Sequence, residues 1–196
     1  MKDALPRIVA LADPNGAGKS TCGPAIIRAT LGITEFVNAD VIARGLSAFD
    51  PDRAAFAAGR IMLHRMEELS QKRESFAFET TLASRTFAPK IQELTAAGYE
   101  FHLLFVWLPS ADEAIRRVRD RVKRGGHNVP EEVIRRRYDA GLANFFQLYK
   151  PLATQWSLHD NSGNKPRVIA AGSKDAPPKI LDERLWSALN ERFEER

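Results

Sequence analysis

Residues 7–21, RIVALADPNGAGKST, constrain this chain more than any other stretch, because an apolar run ends in a glycine-rich turn that passes directly into Lys19, Ser20 and Thr21. Residues 8–12 suit a short strand buried on both faces of a parallel sheet. A helix is expected from residue 19 to about residue 31, with Gly23 and Pro24 disturbing its start. Gly16, Ala17 and Gly18 are small enough for successive backbone N–H groups to converge, and the helix start adds the positive end of its dipole. The expected product is a cradle for a polyphosphate, built from Asn15, Gly16, Ala17, Gly18, Lys19, Ser20 and Thr21. Lys19 is expected to reach the β and γ phosphates, and the Ser20 hydroxyl to ligate Mg²⁺. The stretch matches G-x-x-x-x-G-K-[ST] except at its first position, where Asp13 replaces glycine. A carboxylate there would either repel the nucleotide or sit in a left-handed turn, which Asp tolerates, and point away.

A chain of 196 residues with 44% hydrophobic and 28% charged residues reads as one soluble globular domain spanning residues 1–196. No apolar run is long enough to span a bilayer, and the first residues do not read as a secretion signal. The single cysteine, Cys22, forbids an internal disulfide and fits a reducing compartment, so a cytoplasmic location is expected. Cys22 itself reads as a small buried hydrophobe. The net charge of +4 favours an anionic ligand without choosing among nucleotide, sugar phosphate and nucleic acid. His64, His102, His127 and His159 share no spacing that suggests a metal site.

Further along, residues 35–38 form a second short strand that delivers Asp40 to its C-terminal end, the edge where open α/β sheets place ligands. Residues 51–72 read as a long helix. Residues 76–78 are a third strand, with Glu79 and Thr80 where it ends, and residues 88–97 a helix stopped by Gly98. FHLLFVWL, residues 101–108, is the most apolar strand and is placed centrally. Ser110 and Glu113 then open a capping box before an apolar stripe of Ala111, Ile115, Val118 and Val122. Arg117, Arg121 and Arg124 share the opposite face of that helix, and RGGHNVPEE after it reads as a short lid around residues 121–130. A helix over 131–148, strands over 156–160 and 167–171, a loop over 172–178 and a helix over 181–193 complete the chain. Alternating strands and helices predict a three-layer α/β P-loop sandwich with a parallel sheet, of the nucleotide-kinase type.

Three groups collect at the expected ligand edge. Asp40 reads equally as a general base accepting a substrate hydroxyl's proton and as a helix N-cap. Glu79 suits Mg²⁺ or an acceptor, or else a buried structural role. Arg85 would pair with an anionic acceptor or simply be solvated. Arg121 and Arg124 are the guanidinium groups expected to stabilise charge on a transferring phosphoryl group when the lid closes. His127 would contact a phosphate or ribose, or be merely polar. Aromatic residues are not interleaved with the arginines of 116–137, which disfavours nucleic acid. An ABC-type ATPase is disfavoured too, because no LSGGQ-like signature occurs.

ADPNGAGKST, FVNADVIA, SFAFETTLASRT, FVWLPS, RVRDRVKRGGHNVPEEVIRRRY and GLANF, in this order, resemble the zeta toxin family of P-loop kinases over residues 7–162. The resemblance implies ATP-dependent phosphorylation of a small hydroxylated acceptor, with UDP-N-acetylglucosamine as the family's characterised example. It implies Asp40 as the base, Arg121 as the best match for a lid arginine, and Glu79, Thr80 and, more loosely, Arg85 as acceptor contacts. It also implies ATP and Mg²⁺ as cofactors and leaves room for a protein antitoxin.

Overall fold

The computed structural model describes residues 5–18, 27–28 and 31–193; Lys19, Ser20, Thr21 and Cys22 lie outside the described residues. Seven strands form one sheet: β1 (Arg7–Ala12), β2 (Glu35–Val37), β3 (Phe76–Thr80), β4 (Glu100–Trp107), β5 (Gln155–Asp160), β6 (Arg167–Ser173) and β7 (Ala176–Ile180). Their order is β2-β3-β1-β4-β5-β6-β7. The first five run parallel, whereas β6 and β7 add antiparallel. The fold is mixed α/β with a mostly parallel sheet, and β4 is central as its apolarity predicted.

Six helices of two or more turns have both ends among the described residues: α1 (Ala39–Leu46), α2 (Pro51–Gln71), α3 (Phe87–Ala96), α4 (Ala111–Lys123), α5 (Glu131–Asn144) and α6 (Glu183–Phe193). Alternation along β1 explains the layers. Ile8, Ala10 and Ala12 enter one core with Met62, Met66, Ile91 and Leu142, while Val9 and Leu11 enter another with Ile27 and Ile33. Both faces are covered, so β1 is apolar from Ile8 to Ala12. The expected helix over 131–148 ends at Asn144 and continues as a π-helical stretch, Phe145–Tyr149, then one turn, Lys150–Leu152. That wider turn puts Phe145 and Phe146 among Phe105, Trp156, Trp186 and Phe193, an aromatic cluster a regular helix would aim differently.

Residues 172–178, expected to be a loop, instead hold the end of β6, a turn and most of β7. Pro177 and Pro178 masked the strand. They are tolerated because β7 is an edge strand, where a missing N–H breaks no internal ladder.

Helix α5 meets the sheet edge at Gly141. A Cβ there would stand 2.4 Å from the Thr81 carbonyl oxygen, so only glycine allows this approach. The Gly141→Ala variant is expected to lose about 1–3 kcal/mol of stability, the usual cost of overpacking, measured by urea denaturation.

Candidate active site

The phosphate loop leaves β1 under tight control. The Asp13 N–H donates to the Thr80 carbonyl at 3.2 Å, extending the β1–β3 ladder by one residue. Asp13 is fully buried. Of the two alternatives for it, the left-handed turn is not there, since only Arg73 and Leu82 among the described non-glycine residues have positive φ. Gly16 and Gly18 take that role, with φ of 88° and 93°. A Cβ on Gly16 would lie 2.7 Å from the Ala114 carbonyl, so the loop can lie against α4 only with glycine there. Asn161, just beyond β5, donates from its side chain to the Ala17 carbonyl at 2.6 Å. The buried Asn15 Oδ1 accepts no hydrogen bond among the described residues, an acceptor left over for a ligand.

Asn38 organises the next part. Its Oδ1 accepts from the Asp40 and Val41 N–H groups at 2.8 and 3.1 Å, making it the N-cap of α1, and its Nδ2 donates to Glu79 Oε2 at 2.6 Å. One side chain thus joins the ends of β2 and β3. The N-cap alternative for Asp40 is therefore wrong: Asp40 lies in the first turn of α1, and its exposed side chain is not used as a cap. After β3 the chain bends sharply. Leu82, fully buried at φ 54°, is held by the Thr80 hydroxyl, which accepts from its N–H at 3.0 Å, and by Asn144, which donates to its carbonyl at 2.8 Å.

The arginines of α4 divide by their partners. The first half of the capping box forms, with Ser110 Oγ accepting from the Glu113 N–H at 3.1 Å. The second half does not, because the Glu113 carboxylate turns to Arg116 and Arg117. Those guanidinium groups, Arg116 first, outweigh burial and hold its pKa at about 2. Arg117 also donates to the Asn161 carbonyl at 2.8 Å, so it braces the residue that braces the phosphate loop. Arg121 donates to the His127 carbonyl at 3.2 and 2.9 Å and fixes the lid turn against α4. Arg124 is exposed, and its guanidinium has no hydrogen-bonded or ion-paired partner among the described residues. His127 faces Asp52 of α2 at 3.4 Å.

Two cavities result. One, of about 490 Å³, is lined by Asp13, Gly16, Gly18, Arg117, Arg121 and Arg124. The other, of about 560 Å³, is lined by Thr80, Thr81, Phe56, Leu63 and Phe87 among others. Asn15, Asp40 and Glu79 line both. The structure therefore brings Asn15, Gly16, Gly18, Asp40, Glu79, Thr80, Arg121 and Arg124 together, whereas Arg85 and His127 line neither cavity. Asn38 and Asn161 were missed as functional residues. Their signal was position, since each follows a parallel strand at the ligand edge.

Among the described residues, no group of three His, Cys, Asp or Glu side chains is arranged to hold a metal by itself. The carboxylates of Asp40 and Glu79 nevertheless line the first cavity and are the hard oxygen donors Mg²⁺ prefers. No described helix is long and apolar enough to cross a membrane.

A glycine-rich turn at the C-terminal edge of a parallel sheet, opposed by arginines and carboxylates, defines a nucleotide-binding P-loop fold. The chain belongs to the AAA domain family AAA_33, whose model matches residues 11–148. It is similar to an uncharacterised protein of Haemophilus influenzae, 26% identical over 124 residues that cover 63% of this chain and 86% of the relative. The AvrRxo1-ORF1:AvrRxo1-ORF2 structure with sulphate ions matches with a TM-score of 0.75 at 14% identity, over 95% of this chain. This chain spans only 64% of the length of that matched chain. An AvrRxo1-ORF1:-ORF2 structure with ATP matches at a TM-score of 0.74 and 15% identity over the same shares, 95% and 64%. A structure of the PezAT chromosomal toxin-antitoxin system of Streptococcus pneumoniae matches at a TM-score of 0.67 and 14% identity, over 100% of this chain and 81% of that one. At such identities these likenesses concern the fold.

Two outcomes are expected. The Glu113 carboxylate, depressed from 4.5 to about 2, contributes stability that is present above pH 4.5 and is lost as pH falls towards 2. In denaturation series across that window, the gap between wild type and Glu113→Gln should therefore close. Removing the Asp13 carboxylate from the phosphate cavity with Asp13→Asn should tighten ATP binding several-fold in calorimetric titration, because like charges oppose each other there.

Proposed function

We propose that this protein is an ATP-dependent phosphotransferase that delivers the γ-phosphoryl group to a hydroxyl of a small acceptor. The observation that carries the reading is that Asp40, Glu79 and Asn15 alone among the described residues line both cavities. In this reading the cavity beside Gly16 and Gly18 receives the polyphosphate and the other receives the acceptor. Asp40 then stands at the junction, within reach of a hydroxyl entering from one side and a phosphoryl group from the other.

Asp40 acts as the general base that accepts the hydroxyl proton as the oxygen attacks phosphorus. Its backbone N–H is held by the Asn38 side chain, and its exposed side chain is open to an incoming hydroxyl. Arg124, whose guanidinium has no partner among the described residues, and Arg121, at the lid turn, supply positive charge to the transferring oxygens. Arg117, already tied to Glu113 and the Asn161 carbonyl, positions the loop instead. The motif assigns Lys19 and Ser20 to the same nucleotide, and both lie outside the described residues. Ser20 and Glu79 would hold Mg²⁺, which when bound shields phosphate charge. The zeta-toxin resemblance supports UDP-N-acetylglucosamine as the first acceptor to test, and the toxin-antitoxin fold likeness supports a search for a protein partner.

The test is transfer of labelled phosphate from ATP to UDP-N-acetylglucosamine and to a panel of small alcohols. Asp40→Asn is expected to lower kcat by roughly 10²–10⁴-fold, the range of general-base contributions, while ATP affinity stays within about twofold. Undiminished transfer in that variant would remove Asp40 from the mechanism.

A further inference from the structure

A third cavity, of about 570 Å³, shares no lining residue with the other two. It sits over β4 to β7 on the face opposite α6. Alternation divides these strands: Trp156, Leu158 and Ala170 join Trp186 and Leu189 in the core under α6, while His102, Leu104, Ser157 and Ala171 belong to the other face. Ile27 and Leu31, which follow the phosphate loop in the chain, close one side of the cavity together with Leu104.

Its chemistry differs from theirs. Asp40 and Glu79 line both of the other cavities, whereas no Asp or Glu lines this one among the described residues. Lys179 of β7 does line it, is exposed, and its ammonium has no hydrogen-bonded or ion-paired partner among the described residues. The histidines add little charge. Burial pushes the imidazoles of His102 and His159 below the ordinary histidine value, at His102 in spite of the Glu100 carboxylate 3.3 Å away. His159 and the Ser157 hydroxyl satisfy each other at 2.8 Å, so the floor makes little polar demand on an occupant.

The strand register gives the dimensions. Leu104, Ser157, Ala171 and Lys179 are successive partners across four strands. Leu104 and Ala171 are two strand spacings apart, about 10 Å, and Lys179 stands one spacing further. Small side chains along the floor, Ser157, Ala171 and Ser173, leave its depth open. Cavities of this size, apolar with a few polar groups, hold small organic molecules. We infer that this cavity binds an amphipathic monoanion: a small molecule whose apolar body, about 10 Å long, lies between Leu104 and Ala171, and whose single carboxylate or sulfonate meets Lys179. A neutral molecule of the same shape is held less well because it leaves the ammonium unused. The site is separate from the phosphotransferase reading, since no residue belongs to both.

The experiment is fluorescence titration of the full chain with 8-anilinonaphthalene-1-sulfonate, an apolar monoanion, in the presence of excess non-hydrolysable ATP analogue. The dye should bind, and octanoate should displace it at least about threefold better than octan-1-ol, the scale of a charge contact open to solvent. Lys179→Gln should close that gap and Lys179→Arg should keep it. Ala171→Leu fills the cavity and should remove dye binding; Ser173→Leu, further along the same strand, gives a second block. All three positions are at least partly exposed, and an unchanged melting temperature checks the fold of each variant. Dye binding that survives both leucine variants, or that the ATP analogue competes away, overturns the site. Equal displacement by octanoate and octan-1-ol, or a gap that survives Lys179→Gln, overturns the anion assignment. Sedimentation equilibrium covers the remaining case: a wild-type dimer that Ala171→Leu dissociates would mean that a second copy covers this face, and the ligand assignment would fall.

Discussion

The parallel ladder from β2 through β5 is the constraint on which the rest of this structure depends. Because those strands point the same way, their C-terminal ends, and with them Asp13, Asp40, Thr80 and Asn161, arrive at one edge of the sheet. The Asp13–Thr80 backbone bond carries the ladder one residue into the phosphate loop. The loop therefore begins from a rigid support, and its glycines bend from a fixed point. Burial of β1 on both faces makes that support costly to distort, since any shift disturbs two cores at once.

Three polar side chains then convert a shared edge into an ordered site. Asn38 couples Asp40 to Glu79, Asn161 holds the phosphate loop through the Ala17 carbonyl, and Arg117 holds Asn161. Each links segments far apart in sequence through directional bonds, which fix position to a fraction of an ångström where apolar packing alone would not. The strained turn at Leu82 belongs to the same arrangement. A buried leucine with positive φ persists only where surrounding contacts over-determine it, and here Thr80 and Asn144 supply them.

Much of this was legible in the residues. The apolar run before Asp13, the glycines, the most apolar strand at 101–108 and the serine cap at Ser110 each state a local preference, and each was expressed. What was misread had a tertiary cause. Strand β7 hides behind Pro177 and Pro178 because its tolerance for proline comes from lying at the sheet's edge, which no local pattern reveals. The helix over 131–148 changes to a π-helical stretch at Phe145 because the aromatic cluster, assembled from three other elements, fixes where Phe145 and Phe146 must point. Asp40 competes with Asn38 for the capping role, and both are good caps; the bond from Asn38 to Glu79, forty-one residues away in the chain, goes with capping by Asn38.

The sequence by itself determined that a glycine-rich loop follows a buried strand, that the sheet is largely parallel, and that carboxylates and arginines collect at the C-terminal edge of its strands. These are consequences of side-chain size, periodicity and spacing, which act locally. Only the tertiary structure decided which arginines brace the loop and which stay open, that Asp13 is buried without a left-handed turn, and that Asp40 and Glu79 stand between two cavities. Those outcomes depend on which distant groups meet across the sheet edge, and such meetings are set by chain packing and by the pairing of buried polar atoms.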